Sequence, residues 1–182
     1  QDQVPEPAGA DLEMGGRMTM TDLISADFGI RQLQARFIDA AWRQDAGDFA
    51  ACWTRDGVWK IAGMEMTGRE AIADACRRML GRCKRIQLVL SPVIIELDGA
   101  GAIGRHHVIE FATMQDDSGW MTFGVYHDRF AEEDGRWRFK HRHWSMKYRG
   151  EAPLAGLWTD TSDYGSFPGM PAPDEATYGR PA

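Results

Sequence analysis

The sequence predicts an α+β protein: three N-terminal helices laid on a curved, mostly antiparallel sheet that closes into a cone with one deep pocket. Two observations carry this. Residues 27–80 repeat their apolar side chains at helical spacing, with one short strand pair between helices. Residues 84–149 then change to strand-like runs separated by turn dipeptides. Helices first and hairpins after argue for one sequential antiparallel sheet with its helices on one face.

The elements follow in order. Residues 1–20 hold Pro, Gly and acids without a hydrophobic stretch and read as a flexible arm that is not a secretion signal. From Asp27, Ile30, Leu33, Phe37 and Ala41 share one helical face, and Arg31, Gln32 and Arg36 lie on the wet one. Ala46-Gly47 is expected to break this helix, and Asp48 to cap a short second one with Phe49, Cys52 and Trp53. Asp56-Gly57 signals a turn into a strand at Val58–Ile61, and Met64 to Thr67 returns beside it. Thr67 and Glu70 have capping-box spacing for a third helix with Ile72, Cys76, Met79 and Leu80 on its apolar face, ended by Gly81.

Ile86–Leu90 and Val93–Leu97 flank Ser91-Pro92, which reads as a kink in one long strand. Asp98-Gly99, Asp116 to Gly119 and Asp134-Gly135 are hairpin turns between strands at Ala102–Met114, Trp120–Ala131 and Trp137–Tyr148. The single barrel domain therefore spans 21–150. Residues 151–182 turn rich in Pro and Gly yet keep Leu154, Leu157, Trp158, Tyr164, Phe167 and Tyr178, so this tail is expected to pack over the barrel or a neighbouring subunit.

Composition narrows the function. The chain has 182 residues, 43% hydrophobic, enough for one core. Its net charge of −6 and lack of a basic cluster argue against nucleic acid. No apolar run approaches the ~20 residues of a membrane span. Cys52, Cys76 and Cys83 are odd in number with no CxxC, and read as buried thiols of a reducing compartment, hence a cytoplasmic protein.

Chemistry-bearing residues concentrate in the strands. His106, in a mainly apolar run, is a candidate acid or base near neutral pH. Alternation places His106, Val108 and Glu110 on one face and Arg105, His107 and Ile109 on the other. Tyr126 and Asp128 share a face of the next strand and could hold or move a proton; otherwise Tyr126 packs and Asp128 pairs with an arginine of the last strand. Arg105 would steady an oxyanion if it entered the cone. In the last strand His141, His143 and Ser145 oppose Arg142, Trp144 and Met146, and which set looks inward depends on a bulge that the sequence does not place. His141 and His143 have metal-compatible spacing without a third ligand, so no metal and no cofactor is expected. Phe37, Trp42, Trp59, Phe123 and Trp144, with Gln87, are candidates to line a pocket for a flat aromatic ligand.

Four segments in this order resemble the SnoaL-like branch of the nuclear-transport-factor-2-like superfamily, over roughly residues 25–155. They are Asp45-Ala46-Gly47-Asp48-Phe49, Arg55-Asp56-Gly57-Val58-Trp59, Thr67-Gly68-Arg69-Glu70-Ala71-Ile72, and Tyr126-x-Asp128 with Asp134-Gly135-x-Trp137. The resemblance implies a cystatin-like cone and a homo-oligomer, trimer or dimer. It also implies cofactor-free elimination chemistry of the scytalone dehydratase and lindane dehydrochlorinase kind. Gly104-Arg105-His106 looks like the strand that carries a catalytic histidine, and Trp59 matches a pocket tryptophan. Where those enzymes pair an aspartate with a histidine, this chain has Trp42 and Gln87; where the dehydratase has its two tyrosines, it has Ala41 and Ile61.

The expectation is a cofactor-independent lyase, a dehydratase or an aldehyde-releasing retro-aldol enzyme, on a small hydroxylated aromatic compound. An isomerase, cyclase or epoxide hydrolase of the same fold competes with it. So does a non-catalytic ligand-binding or oxygenase-small-subunit-like protein, which the missing Asp–His pair favours.

Overall fold

A computed structural model describes residues 19–156 and 158. Helix α1 (Met20–Trp42) is followed by α2 (Ala46–Ala51), strands β1 (Trp53–Ile61) and β2 (Met64–Thr67), and helix α3 (Arg69–Leu80). Strands β3 (Cys83–Leu90), β4 (Ile94–Asp98), β5 (Gly101–Met114), β6 (Gly119–Glu133) and β7 (Arg136–Glu151) complete the chain. Seven strands form one sheet in the order β2-β1-β7-β6-β5-β3, with β4 also on β5. Every pairing is antiparallel except β1 with β7.

Helix α1 begins seven residues before the expected Asp27. The Thr19 hydroxyl accepts from the Asp22 N–H at 3.2 Å, and the Asp22 carboxylate accepts from the Thr19 N–H at 2.8 Å, a complete capping box. This first stretch escaped the periodicity because its apolar residues Met20, Ile24 and Phe28 are exposed rather than core. Two further caps differ from expectation. Asp45, not Asp48, caps α2, accepting from the Asp48 N–H at 2.9 Å, so Ala46-Gly47 lies inside the helix. Thr67 ends β2 opposite Val58, and Gly68, at φ 85°, opens α3 with no side-chain cap.

The Ser91-Pro92 kink divides the expected long strand into β3 and β4, which pair with successive lengths of β5. Ser91 fastens the break to β5: its N–H donates to the His107 carbonyl at 2.9 Å, and its Oγ accepts from the His107 N–H at 3.0 Å. A bulge at Lys140 settles which face of β7 looks inward. Arg129 pairs with His141 but Phe130 pairs with Phe139, so one residue is left over. Phe139 and Arg142 therefore both face inward, three residues apart.

The core lies between α1 and the concave face of the sheet. Ala26, Ile30, Leu33, Phe37, Ala40 and Ala41 of α1 are buried there. Phe37 has its ring centroid 5.0 Å from Phe49, 6.0 Å from Trp53 and 5.7 Å from Phe139. Trp59 joins the same cluster, 5.6 Å from Trp53. These rings form an aromatic floor whose Phe37 and Phe139 also meet the polar groups above it.

Candidate functional site

Directly above that floor four polar side chains are sealed inside: Gln34 of α1, His106 of β5, Asp128 of β6 and Arg142 of β7. Strand register brings them together, since Gly104 pairs with Asp128, His106 with Tyr126, and Asp128 with Arg142. Gln34 occupies a slot of the apolar stripe of α1, between Leu33 and Phe37, which aims it at the sheet.

Arg142 is the hub. Its Nε donates to Asp128 Oδ1 at 2.8 Å and its Nη2 to Asp128 Oδ2 at 2.9 Å, a bidentate charge-assisted pair. Its guanidinium carbon lies 3.6 Å from the Phe139 ring centroid, 3.9 Å from Tyr126 and 4.4 Å from Phe37. Three aromatic faces thus replace the water lost by a buried cation. Its Nη1 is buried and has no hydrogen-bond partner among the described residues.

The arginine also fixes the state of the histidine. Arg142 Nη2 lies 3.3 Å from His106 Nε2, and an arginine can only donate, so Nε2 accepts and the ring proton sits on Nδ1. Nδ1 lies 3.1 Å from Gln34 Nε2 and 3.6 Å from Asp128 Oδ2. The Gln34 amide must therefore turn its oxygen toward the ring, an assignment that hydrogen bonding rather than atom positions decides. Burial, with the Arg142 charge second, lowers the imidazole pKa from 6.5 to about 2, so His106 rests neutral. Burial pushes the Asp128 carboxyl up while Arg142 pulls against it. Burial also raises the Tyr126 phenol, whose ring is 5.5 Å from His106 and 4.8 Å from Trp144.

Of the residues singled out from sequence, the structure gathers His106, Tyr126, Asp128, Phe37 and Trp144 on the concave side. Trp59 is buried in the floor, and its indole N–H has no partner among the described residues. Three others lie elsewhere. Arg105, Gln87 and Phe123 are exposed on the convex face, because each alternates with a buried neighbour, His106, Leu88 or Gly124. Arg105 is thus not the cation of the cone; Arg142 is. Phe123 instead stacks on Tyr148 at 5.4 Å. Gln87 and Trp42 line a separate groove of about 320 Å³ with Arg85, Phe111, Leu154 and Trp158, where the described part of the tail crosses the sheet edge. The Arg85 guanidinium sits 5.1 Å from the Trp158 ring.

His141 and His143 face outward with His127, and the His143 ring lies 6.4 Å from each of the other two. No group of three or more metal-ligating side chains is placed to share an ion among the described residues. Cys52, Cys76 and Cys83 are buried free thiols. No described helix is long and apolar enough to cross a membrane.

The family model of the SnoaL-like domain matches residues 24–143, and the chain belongs to that family of the nuclear-transport-factor-2-like superfamily. A type 2 hexachlorocyclohexane dehydrochlorinase superposes with a TM-score of 0.69 at 19% identity, covering 79% of this chain and 98% of that one. A scytalone dehydratase-like protein from Novosphingobium aromaticivorans gives 0.68 at 18% identity, covering 78% and 100%. A protein of unknown function from Mycobacterium tuberculosis gives 0.63 at 25% identity, covering 72% and 78%. No curated protein sequence matches the chain significantly. The structural neighbours thus include lyase-type enzymes and proteins without an assigned activity.

Proposed function

We propose that this protein is a cofactor-independent lyase that acts on a small hydroxylated aromatic compound by acid–base chemistry inside the cone. The observation that carries the reading is the buried Arg142–Asp128 pair with an unpartnered Nη1 beside a neutral imidazole. A pair of this kind seldom stabilises a fold better than apolar side chains of the same volume. A fixed, desolvated donor is what a developing oxyanion needs.

Nη1 would receive the phenolate or enolate oxygen of the ligand, whose ring would lie against Tyr126 and Trp144. At 3.3 Å, the hydrogen bond from Arg142 to His106 Nε2 is longer than the two it gives Asp128. A ligand oxygen competing for the guanidinium would release Nε2, and the ligand's negative charge would raise its basicity. Nε2 then takes a proton from carbon, while Asp128 and Gln34 hold the protonated ring from the Nδ1 side. The Tyr126 hydroxyl steadies the departing oxygen. Loss of hydroxide, protonated to water, gives a dehydratase; if Nε2 instead takes the proton of a β-hydroxyl, the carbon–carbon bond breaks with its electrons passing to the enolate, and an aldehyde leaves.

One observation favours a second reading, a non-catalytic ligand-binding member. Both ring nitrogens of His106 are engaged, and the imidazole is held far from neutral-pH titration. Turnover decides between the two. The purified protein is given phenolic diols and β-hydroxy ketones, with ultraviolet absorbance and released formaldehyde followed. Conjugated product without aldehyde supports a dehydratase, and with aldehyde a carbon–carbon lyase. Saturable binding without product, in a protein whose His106→Ala variant binds equally well, supports the second reading.

A further inference from the structure

We infer that Glu110 is the second proton-exchanging residue of the cone, the group that protonates the oxygen leaving the ligand. The inference rests on the lyase reading above. Its motive is that the Arg142 cluster supplies a base and an oxyanion donor, while an elimination also needs an acid.

Glu110 lies on the concave face of β5, alternating with His106 and Val108, and it pairs with Leu88 of β3 and Thr122 of β6. Among the described residues its carboxyl has no hydrogen-bond or ion-pair partner. Arg149 on β7 acts on it electrostatically, and Glu110 in turn raises the Tyr126 phenol on β6 and the Cys83 thiol on β3. Arg149 is turned toward the Trp120 ring, 4.7 Å from its centroid. Opposite Glu110, the Thr122 hydroxyl is buried and also without a partner. Glu110 is half-buried, and its unpaired carboxyl stands beside the buried side chains of Leu88 and Val108. Burial raises its pKa, with Arg149 opposing, so the neutral acid persists to higher pH than for a solvated glutamate.

The two groups share one face of one strand. Four residues of strand separate His106 from Glu110, about 13 Å at ~3.3 Å per residue. Both side chains stand on the concave face, with Val108 and, on β6, Gly124 between them. At Gly124 a Cβ would come within 2.3 Å of the Trp144 ring, so the small residue lets that indole lie flat against the sheet. The interval between base and acid is therefore paved by Val108 and Trp144, a surface for one substituted aromatic ring.

In the step proposed, His106 Nε2 takes the proton from the ligand carbon and the electrons of that bond form the new double bond. The carbon–oxygen bond breaks with its electron pair on oxygen. Glu110 gives its proton to that oxygen, water departs, and imidazolium and carboxylate remain. Transfer of the imidazolium proton to Glu110 through water restores both groups.

The test uses Glu110→Gln, which keeps a hydrogen-bond donor but cannot release a proton, and Glu110→Asp, which keeps the carboxyl. Turnover on the phenolic panel should fall at least about 100-fold in the Gln variant with KM within a few-fold, and be partly retained in the Asp variant. Acetophenone, an acceptor without an acidic O–H, gives an independent reading. Its affinity for the natural protein should weaken as pH rises through the ionisation of Glu110, and become pH-independent in the Gln variant. Unchanged turnover in Glu110→Gln overturns the inference, as does an acetophenone pH dependence identical in both proteins. If the natural protein turns nothing over, the lyase reading fails, and the acetophenone titration still decides whether Glu110 faces the ligand.

Discussion

Removing the carboxylate of Asp128 while keeping its shape is the most direct perturbation of the cone. Asp128→Asn leaves the Arg142 charge without its counterion in a place where both side chains are 0% exposed. Breaking a buried pair on one side costs about 3–5 kcal/mol, because the remaining charge is stranded. Three aromatic faces at 3.6–4.4 Å still hold the guanidinium, which places the expected loss toward the lower end, about 3 kcal/mol. With a urea m-value of roughly 2 kcal/mol per molar, the midpoint of unfolding should fall by about 1.5 M. The double variant Asp128→Asn/Arg142→Met removes the stranded charge and fills its volume, so it should recover at least half of that loss. Equilibrium urea unfolding of the two single variants, the double variant and the natural protein closes the cycle. A shift under about 1 kcal/mol for Asp128→Asn, or a double variant whose loss equals the sum of the singles, would refute a coupled buried pair.

Other consequences are testable with simple means. His106 titrates near 6.5 when unfolded and near 2 when folded, so below pH 6.5 the unfolded state binds the extra proton and stability falls with acidification. Between pH 6.5 and 4.5 the natural protein should lose about 1.4 kcal/mol per pH unit more than His106→Gln; parallel curves for the two proteins would show that the ring is not held neutral. Gly124→Ala drives a methyl into the Trp144 ring and should lower stability by about 1–3 kcal/mol with a changed tryptophan emission; an unaltered melt and spectrum would mean the indole lies elsewhere. Burial holds the Cys52 and Cys76 thiols at about 12, so a thiol reagent at pH 8 should leave both unlabelled until urea unfolds the chain. Arg43 donates to Asp39, Asp45 and Asp48 from a side chain only 10% exposed, so Arg43→Ala should cost roughly 1–2 kcal/mol, less in 1 M salt; a loss independent of salt would assign it to packing.

Much of this was legible in the residues. Turn dipeptides such as Asp98-Gly99 and Asp134-Gly135 marked hairpins that the chain makes, because positive φ there leaves few other residue choices. Alternation from His106 through Glu110 gave the correct faces because β5 has no bulge facing β6. The last strand resisted for the opposite reason: its leftover residue at Lys140 has no side-chain signature, so the inward turn of Arg142 was hidden. Gln34 carries a fainter signal: a polar residue inside the stripe Ile30, Leu33, Phe37 is a readable sign of a buried partner. Trp42 and Gln87 show the limit of matching positions to relatives, since Gln87 lies on the face opposite to the pocket expected of it.

The bulge at Lys140 acts as a reading frame for the sheet. Downstream of it the strand presents Arg142 and Trp144 to the interior and His141 and His143 to the exterior. If the strand ran regularly through Lys140, the same letters would be read one position out of phase, and the cone would hold two imidazoles where it now holds a cation and an indole. Gain or loss of a bulge in this strand is therefore a change of chemistry before it is a change of shape, and it exchanges the side chains that line the pocket without substituting any of them.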